Sequence, residues 1–273
     1  MFRFLCTCLL LTLTAPALAA DDTVEFPGRI EALNQSEVSN AVAATVTAIH
    51  FSPGEYVTPG DLLFTLDKAG FELAVETEVA FLLRAEATLK SAARDFERMQ
   101  RLQSRGSATG VQVLKAEVAQ AMADAVRAET RARVKAAQMD LARTDIRAPI
   151  SGVISAPSVK VGSYVKVGNG PLATIMQLDP VRLSYEVPYI DRVESLGLTE
   201  LPFPESLLSS VTLTVKITES WTHPHRTRPS NVDAVVNPVT GTLTIWAELP
   251  NPDGQLRPGM RVRVLSDLVP APD

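Results

Sequence analysis

One short pattern occurs twice in this chain, 108 positions apart. Ala44-Thr-Val-Thr-Ala-Ile-His-Phe-Ser-Pro-Gly54 lies over Gly152-Val-Ile-Ser-Ala-Pro-Ser-Val-Lys-Val-Gly162. Val46 then matches Ile154, Ala48 matches Ala156 and Phe51 matches Val159. Beyond the glycines, Tyr56-Val57 matches Tyr164-Val165 and Gly60 matches Gly168; one inserted residue later, Leu63-Phe64 matches Leu172-Ala173. Alternating apolar residues between Pro-Gly turns read as short β-strands. Neither copy alone has enough apolar residues to bury a face, so the two are expected to pair as a flattened, pseudo-twofold sandwich.

The segment between the copies obeys a different period. Phe71, Val75, Leu82, Ala85, Leu89, Ala92, Phe96 and Met99 fall at steps of three and four, with a break at Glu78. Such spacing is a heptad seam. Glu86–Lys90 and Glu97–Arg101 support the outer face in the favourable i,i+4 order. Gly106 offers a C-terminal stop, and Thr109 followed by Gln112 reads as a capping box opening a second helix. There Val111, Leu114, Val118, Ala121, Ala125, Ala128, Ala132, Met139 and Ala142 keep the spacing, interrupted only by Lys135. Two heptad helices joined by a few residues fold back antiparallel. At 1.5 Å per residue the hairpin is expected to be about 50 Å long. Its mixed surface charge reads as a solvated coiled-coil exterior.

From Pro180 the apolar residues alternate. Val181, Leu183, Tyr185 and Val187 share one strand face; so do Val211, Leu213, Val215 and Ile217, and then Leu243, Ile245 and Ala247. Asn237-Pro238, Thr240-Gly241 and Asn251-Pro-Asp-Gly254 punctuate them, and Ile190, Val193 and Leu196 suggest one short helix. The expectation is a small antiparallel β-barrel. In sum the fold class is α+β, elongated and multidomain. The expected parts are a split sandwich (38–67 with 144–178), a coiled-coil hairpin (68–143), a barrel (24–37 with 179–266) and a tail (267–273).

Composition narrows the function. The net charge of −5 argues against a nucleic-acid partner. Arg3, the apolar run Phe4–Leu13 and Ala17-Leu18-Ala19 read as a cleaved secretory signal peptide over 1–20, too short in its apolar part to span a membrane. Both cysteines, Cys6 and Cys8, fall inside it. The mature chain is thus expected in the periplasm without disulfides, thiolate metal sites or a lipid anchor.

These residues carry a resemblance. The repeated half-motif resembles a lipoyl/biotinyl domain. Its interruption by a coiled-coil hairpin, followed by Thr144-Asp-Ile-Arg-Ala-Pro-Ile-Ser-Gly152, is similar to the periplasmic adaptors (membrane fusion proteins) of tripartite efflux pumps. Leu172-Ala-Thr-Ile, Leu178-Asp-Pro180, Thr240-Gly-Thr242 and Leu256-Arg-Pro-Gly-Met260 are similar to that family's later segments. The resemblance implies a non-enzymatic adaptor between an inner-membrane transporter, often of the resistance-nodulation-division class, and an outer-membrane channel, self-associated into a ring. An ABC-type exporter is the alternative transporter. The family's tip pattern (Arg, three residues, Leu, six residues, Ser) falls on Arg98, Leu102 and Thr109, with Thr in place of Ser. Two departures stand out. Ala44 occupies a place where the family often has Gly, and the chain stops before a full further β-domain, so transporter contact is expected to differ or to fall mostly to the barrel.

Each tip residue also has a plain structural use: Arg98 as a solvated charge, Leu102 as a seam residue, Thr109 as an N-cap. Asp67-Lys68-Ala69 is similar to the turn that carries lipoyl-lysine. Here it opens a helix, with Asp67 as the expected N-cap and Lys68 in the first turn, so no cofactor is expected. His223 and His225 make an incomplete zinc pair and are expected at the surface; His50 is expected to be structural. No catalytic constellation emerges.

Overall fold

A computed structural model of the chain describes residues 24–195, 208 and 211–268. The expected signal peptide, Leu196 and the last residues of the tail lie outside them. In chain order come β1 (Val24–Ala32), β2 (Gln35–Val38), β3 (Ala44–Ile49), β4 (Tyr56–Val57) and β5 (Leu62–Leu66). Next are α1 (Ala69–Ser104), α2 (Gly110–Ala142), β6 (Asp145–Arg147), β7 (Gly152–Ile154), β8 (Tyr164–Val165) and β9 (Ala173–Met176). Then follow β10 (Val181–Pro188), α3 (Tyr189–Ser195), β11 (Val211–Lys216), β12 (Pro229–Val232), β13 (Thr242–Leu249) and β14 (Arg261–Leu268). The chain divides into two compact units. One holds 32–180 with 251–254; the other holds 24–31 with the described parts of 181–250 and 255–268.

In the first unit the two copies of the repeat exchange strands. β4, from the first copy, pairs with β7 of the second; β8, from the second, pairs with β3 of the first. The two four-stranded sheets are β2-β9-β7-β4 and β6-β5-β3-β8. The hydrogen bonds repeat with the sequence. Val46 N–H donates to Ser163 O and Gly162 N–H to Val46 O, at 2.9 and 2.8 Å; Ile154 N–H donates to Glu55 O and Gly54 N–H to Ile154 O, at 3.0 and 2.9 Å. Each half therefore completes the other's sheet, and neither closes alone. Val46, Ile154, Leu63, Phe64 and Ile175 form the buried core between the sheets, with Phe51 set edge-on to Phe64 at 5.3 Å.

The hairpin leaves this sandwich between β5 and β6. On α1 the seam lies where the sequence places it: Ala85 is buried, and Phe71, Val75, Leu82, Leu89, Phe96 and Met99 are half-buried. Glu78 does not break that seam. It is half-buried on it, and its Oε2 is enclosed without a hydrogen-bond partner.

On α2 the expected seam is on the wrong side. Val113, Ala116, Ala123, Thr130, Val134 and Ala137 are the residues withdrawn from solvent, while Val111, Leu114, Val118 and Met139 are 77, 57, 50 and 47% exposed. The sequence reading followed the more apolar of two stripes. The buried stripe also carries Gln120, Arg127 and Thr130, whose polarity disguises it. Arg127 satisfies its guanidinium on Asp124 at 2.7 Å, and Thr130 donates to the Val126 carbonyl at 2.8 Å, so their stems can pack inward.

In the second unit six strands run in the order β11-β14-β1-β10-β13-β12. Leu213 and Thr227 exchange backbone hydrogen bonds of 2.8 and 3.0 Å, joining β11 to the stretch before β12 and curling the sheet onto itself. Alternation places Val181, Leu183, Tyr185, Leu213, Val215 and Ala247 inside. Tyr185 packs against Phe26 with ring centroids 6.0 Å apart, and burial pushes its phenol above the ordinary range.

The expected boundaries shift in two places. The barrel's first segment ends near Ala32 instead of residue 37, because β2 pairs with β9 in the sandwich. The turn 251–254 sits with the sandwich unit, because Asn251 donates from its backbone to Asp179 Oδ1 and from its side chain to Leu178 O, at 2.8 and 2.7 Å.

Candidate functional site

The hairpin tip is built by two helix ends. At the end of α1, Gly106 takes φ +73°, Ser107 N–H donates to Leu102 O at 2.8 Å, and Gly106 N–H to Gln103 O at 2.9 Å. This pair of bonds satisfies carbonyls that the last turn leaves open, and it needs a residue without a Cβ penalty at positive φ. Three residues later Thr109 caps α2. Its hydroxyl accepts from Gln112 N–H at 3.3 Å, and the Gln112 side chain accepts from Thr109 N–H at 2.8 Å. The expected capping box is therefore present, and the tip is a tightly specified turn.

The three tip residues do different things within this frame. Arg98 is exposed on α1, with its guanidinium 2.8 Å from Asp95 one turn earlier. Leu102 is half-buried, and its carbonyl anchors the turn. Thr109 is exposed, but its hydroxyl is engaged in the cap. Arg98 shares a shallow groove of about 460 Å³ with Met99, Asp95, Gln112 and Lys115, so it stands on the same side as the first turn of α2. A second groove of about 570 Å³ continues from Thr88 and Ala119 toward Phe81, Met122 and Arg133. The sequence reading missed Asp95; its i,i+3 spacing from Arg98 was the available signal.

The other singled-out residues fall elsewhere. Lys68 is the residue immediately before α1. Its Nζ lies 2.8 Å from Asp145 Oδ2 across the hairpin root, and Asp67 Oδ1 accepts the Ala69 N–H at 3.1 Å. The N-cap position therefore falls on Lys68 and not on Asp67 as expected, with no side-chain cap; Asp67 stands one residue further out, where its carboxylate meets the first helical N–H, and the Lys68 amine is held in an ion pair. His223 is buried, contrary to the surface position expected, because it packs edge-on against Trp221 and its Nδ1 accepts the His225 N–H at 3.3 Å. Among the described residues no group of three or more His, Cys, Asp or Glu side chains is placed to hold a metal ion. His50 is tied to Thr65 Oγ1 at 2.8 Å. Among the described residues no helix is long and apolar enough to cross a membrane.

Comparison with known proteins bears on the whole assembly. Residues 34–177, more than half the chain, match the family described as "RND MFP, barrel-sandwich hybrid domain". Residues 200–267 match "CusB-like, beta-barrel domain". The chain is 31% identical over 241 residues to the efflux pump periplasmic linker BepF of Brucella suis, covering 88% of this chain and 58% of that one. It is 30% identical over 260 residues to the multidrug efflux pump subunit AcrA of Escherichia coli, covering 88% and 61%. It is 31% identical over 253 residues to the membrane fusion protein MtrC of Neisseria gonorrhoeae, covering 91% and 61%. The chain thus spans about three fifths of the length of these relatives. In fold it is similar to MacA of Actinobacillus actinomycetemcomitans (TM-score 0.67, 21% identity, 90% of this chain and 78% of that one). It is also similar to the membrane fusion protein Spr0693 of Streptococcus pneumoniae (TM-score 0.66, 16% identity, 90% and 99%). The split sandwich, its inserted hairpin and the following barrel are the parts these matches share, and the chain belongs to the RND-type membrane fusion protein family.

Proposed function

We propose that this protein is a periplasmic adaptor that links an inner-membrane efflux transporter to an outer-membrane channel, for export of small drugs or toxic compounds. It acts by assembly and not by catalysis. The observation that carries this reading is the hairpin: helices of 36 and 33 residues inserted between the halves of a closed sandwich. At 1.5 Å per residue each is about 50 Å long, far more than the sandwich core needs for its own stability. A projection capped by a rigid polar turn supplies reach and a docking end. The tip residues Arg98, Leu102 and Thr109 are the proposed contact to the channel: Arg98 by charge, Leu102 by setting the turn, Thr109 by fixing the start of α2. Transporter choice follows the family match, which favours the resistance-nodulation-division class over an ABC-type exporter. A lipoyl-carrier role is disfavoured by the ion pair that occupies Lys68.

The test is genetic. Deleting the gene in the source organism should sensitise it to toxic compounds, and the full chain should restore tolerance. A chain whose hairpin is replaced by a short turn should not. Restoration by the hairpin-less chain would overturn the reading.

A further inference from the structure

Midway along the hairpin the seam is made of small residues. Ala85 of α1 and Ala123 of α2 are buried there, with Thr130 next towards the root. Such short side chains do not fill the space between two helices out to the surface. A groove of about 570 Å³ therefore opens along one face of the hairpin. Its sides are apolar: Phe81, Met122 and Val126 line it and are 48, 66 and 51% exposed. Scattered singly, exposed apolar side chains need no explanation; gathered around one groove, they mark a binding surface.

The charge of this groove is one-sided. Arg84 and Arg133 line it, and no acid among the described residues does. Arg133 is already held by Glu129 on its own helix, at 2.6 Å. Arg84 pairs with no carboxylate among the described residues. The two ends of the groove also differ. α1 runs from root to tip and α2 returns. Phe81, Arg84 and Arg133 thus mark the rootward end, and Met122 the tipward end. From Met122 to Arg133 is about 16 Å of helix, or three turns. That length and volume suit a drug-sized molecule. A guanidinium fork free of any partner matches a carboxylate or sulfonate. The ligand that satisfies both features has an apolar body and one anionic group. A helix from a second copy would need a longer stripe and would leave Arg84 unanswered.

We propose that this groove binds amphipathic organic anions. The apolar body lies between Phe81 and Met122, over the small floor of Ala85 and Ala123, and the anionic group meets Arg84. The binding is a property of the hairpin itself. It rests on the adaptor reading only for the ligand's source, an exported compound that meets the hairpin.

Two fluorescent probes with the same naphthyl body test this on the purified full chain. One, 1-anilinonaphthalene-8-sulfonate, carries an anion; the other, N-phenyl-1-naphthylamine, does not. The sulfonate is expected to bind with a Kd on the order of 10 µM, and the neutral probe about tenfold more weakly. Arg84→Gln should weaken the sulfonate about tenfold and leave the neutral probe unchanged. Met122→Glu should weaken both. Arg84 and Met122 are exposed, so neither variant should move the melting temperature. Sulfonate affinity unchanged in both variants would overturn the proposal, because the probe then binds elsewhere. Equal weakening of the two probes by Arg84→Gln would overturn it too. So would a change in the chain's mass by light scattering in Met122→Glu, which signals a second copy seated in the groove. The adaptor reading is judged separately, by whether the unaltered chain restores tolerance to the deletion strain.

Discussion

Lys68 and Asp145 stand 77 residues apart in sequence and 2.8 Å apart across the root of the hairpin. The pair ties the residue before α1 to the first residue of β6, so it clamps the two strands from which the helices leave. Asp145 Oδ1 is buried without a hydrogen-bond partner. Lys68→Met therefore leaves a partly buried carboxylate with no compensation. Both side chains keep some solvent access, which screens the pair, so the expected loss is about 1 kcal/mol. Urea denaturation should show it, and Lys68→Met with Asp145→Asn should recover part. The same engagement predicts that the intact mass of the purified chain carries no addition on Lys68.

Glu78 occupies a seam position that an apolar side chain should fill. Burying one carboxylate oxygen without a partner has a free-energy cost that an aliphatic residue avoids. Glu78→Leu is expected to stabilise the hairpin by about 1 kcal/mol. A lower melting temperature by circular dichroism would show that the carboxylate has a partner that the seam geometry does not reveal.

The two halves of the repeat differ at Ala44 and Gly152. A Cβ at Gly152 would collide with the Met176 backbone carbonyl. Ala44 already carries a Cβ at the equivalent place, buried within the core. Gly152→Ala is thus expected to cost about 2 kcal/mol through forced backbone displacement, and Ala44→Gly less than that. Equal losses in thermal unfolding of the two variants would contradict this asymmetry.

At the tip, fold and function should separate. Arg98→Asp reverses an exposed charge whose only ion pair is on the surface, so it should leave the helix content and melting temperature nearly unchanged while abolishing tolerance to exported compounds. Thr109→Ala should instead cost about 1 kcal/mol, the usual worth of an N-cap, and Thr109→Ser should retain both stability and tolerance. Circular dichroism and growth on toxic compounds read the two properties independently.

What could be read in advance followed from how many signals a segment carries. The repeat was legible because both copies keep the same apolar positions, and Val46 and Ile154 do form matching hydrogen bonds. The α1 seam was legible because that helix has a single apolar stripe. α2 was not: it has two stripes two residues apart, and the outer one, with Val111, Leu114 and Val118, is more apolar than the inner one with Arg127 and Thr130. One helix read alone cannot say which stripe faces its partner. The β2 boundary was missed because four residues, Gln35–Val38, give too short a pattern to assign to one sheet. His223 was misplaced because its shielding comes from Trp221, a contact that adjacent polar residues and Pro224 do not suggest. The tip turn, by contrast, is local chemistry, and Gly106, Thr109 and Gln112 announce it.

The central claim is that the tip meets an outer-membrane channel. A photo-crosslinking amino acid placed at Ser107, exposed between the two helices, tests it in cells of the source organism. Illumination followed by mass spectrometry of the adduct should identify an outer-membrane channel protein, and the adduct should vanish when Arg98→Asp is added. Cross-linking only to another kind of protein, or no adduct in cells that the chain protects from toxic compounds, would contradict it.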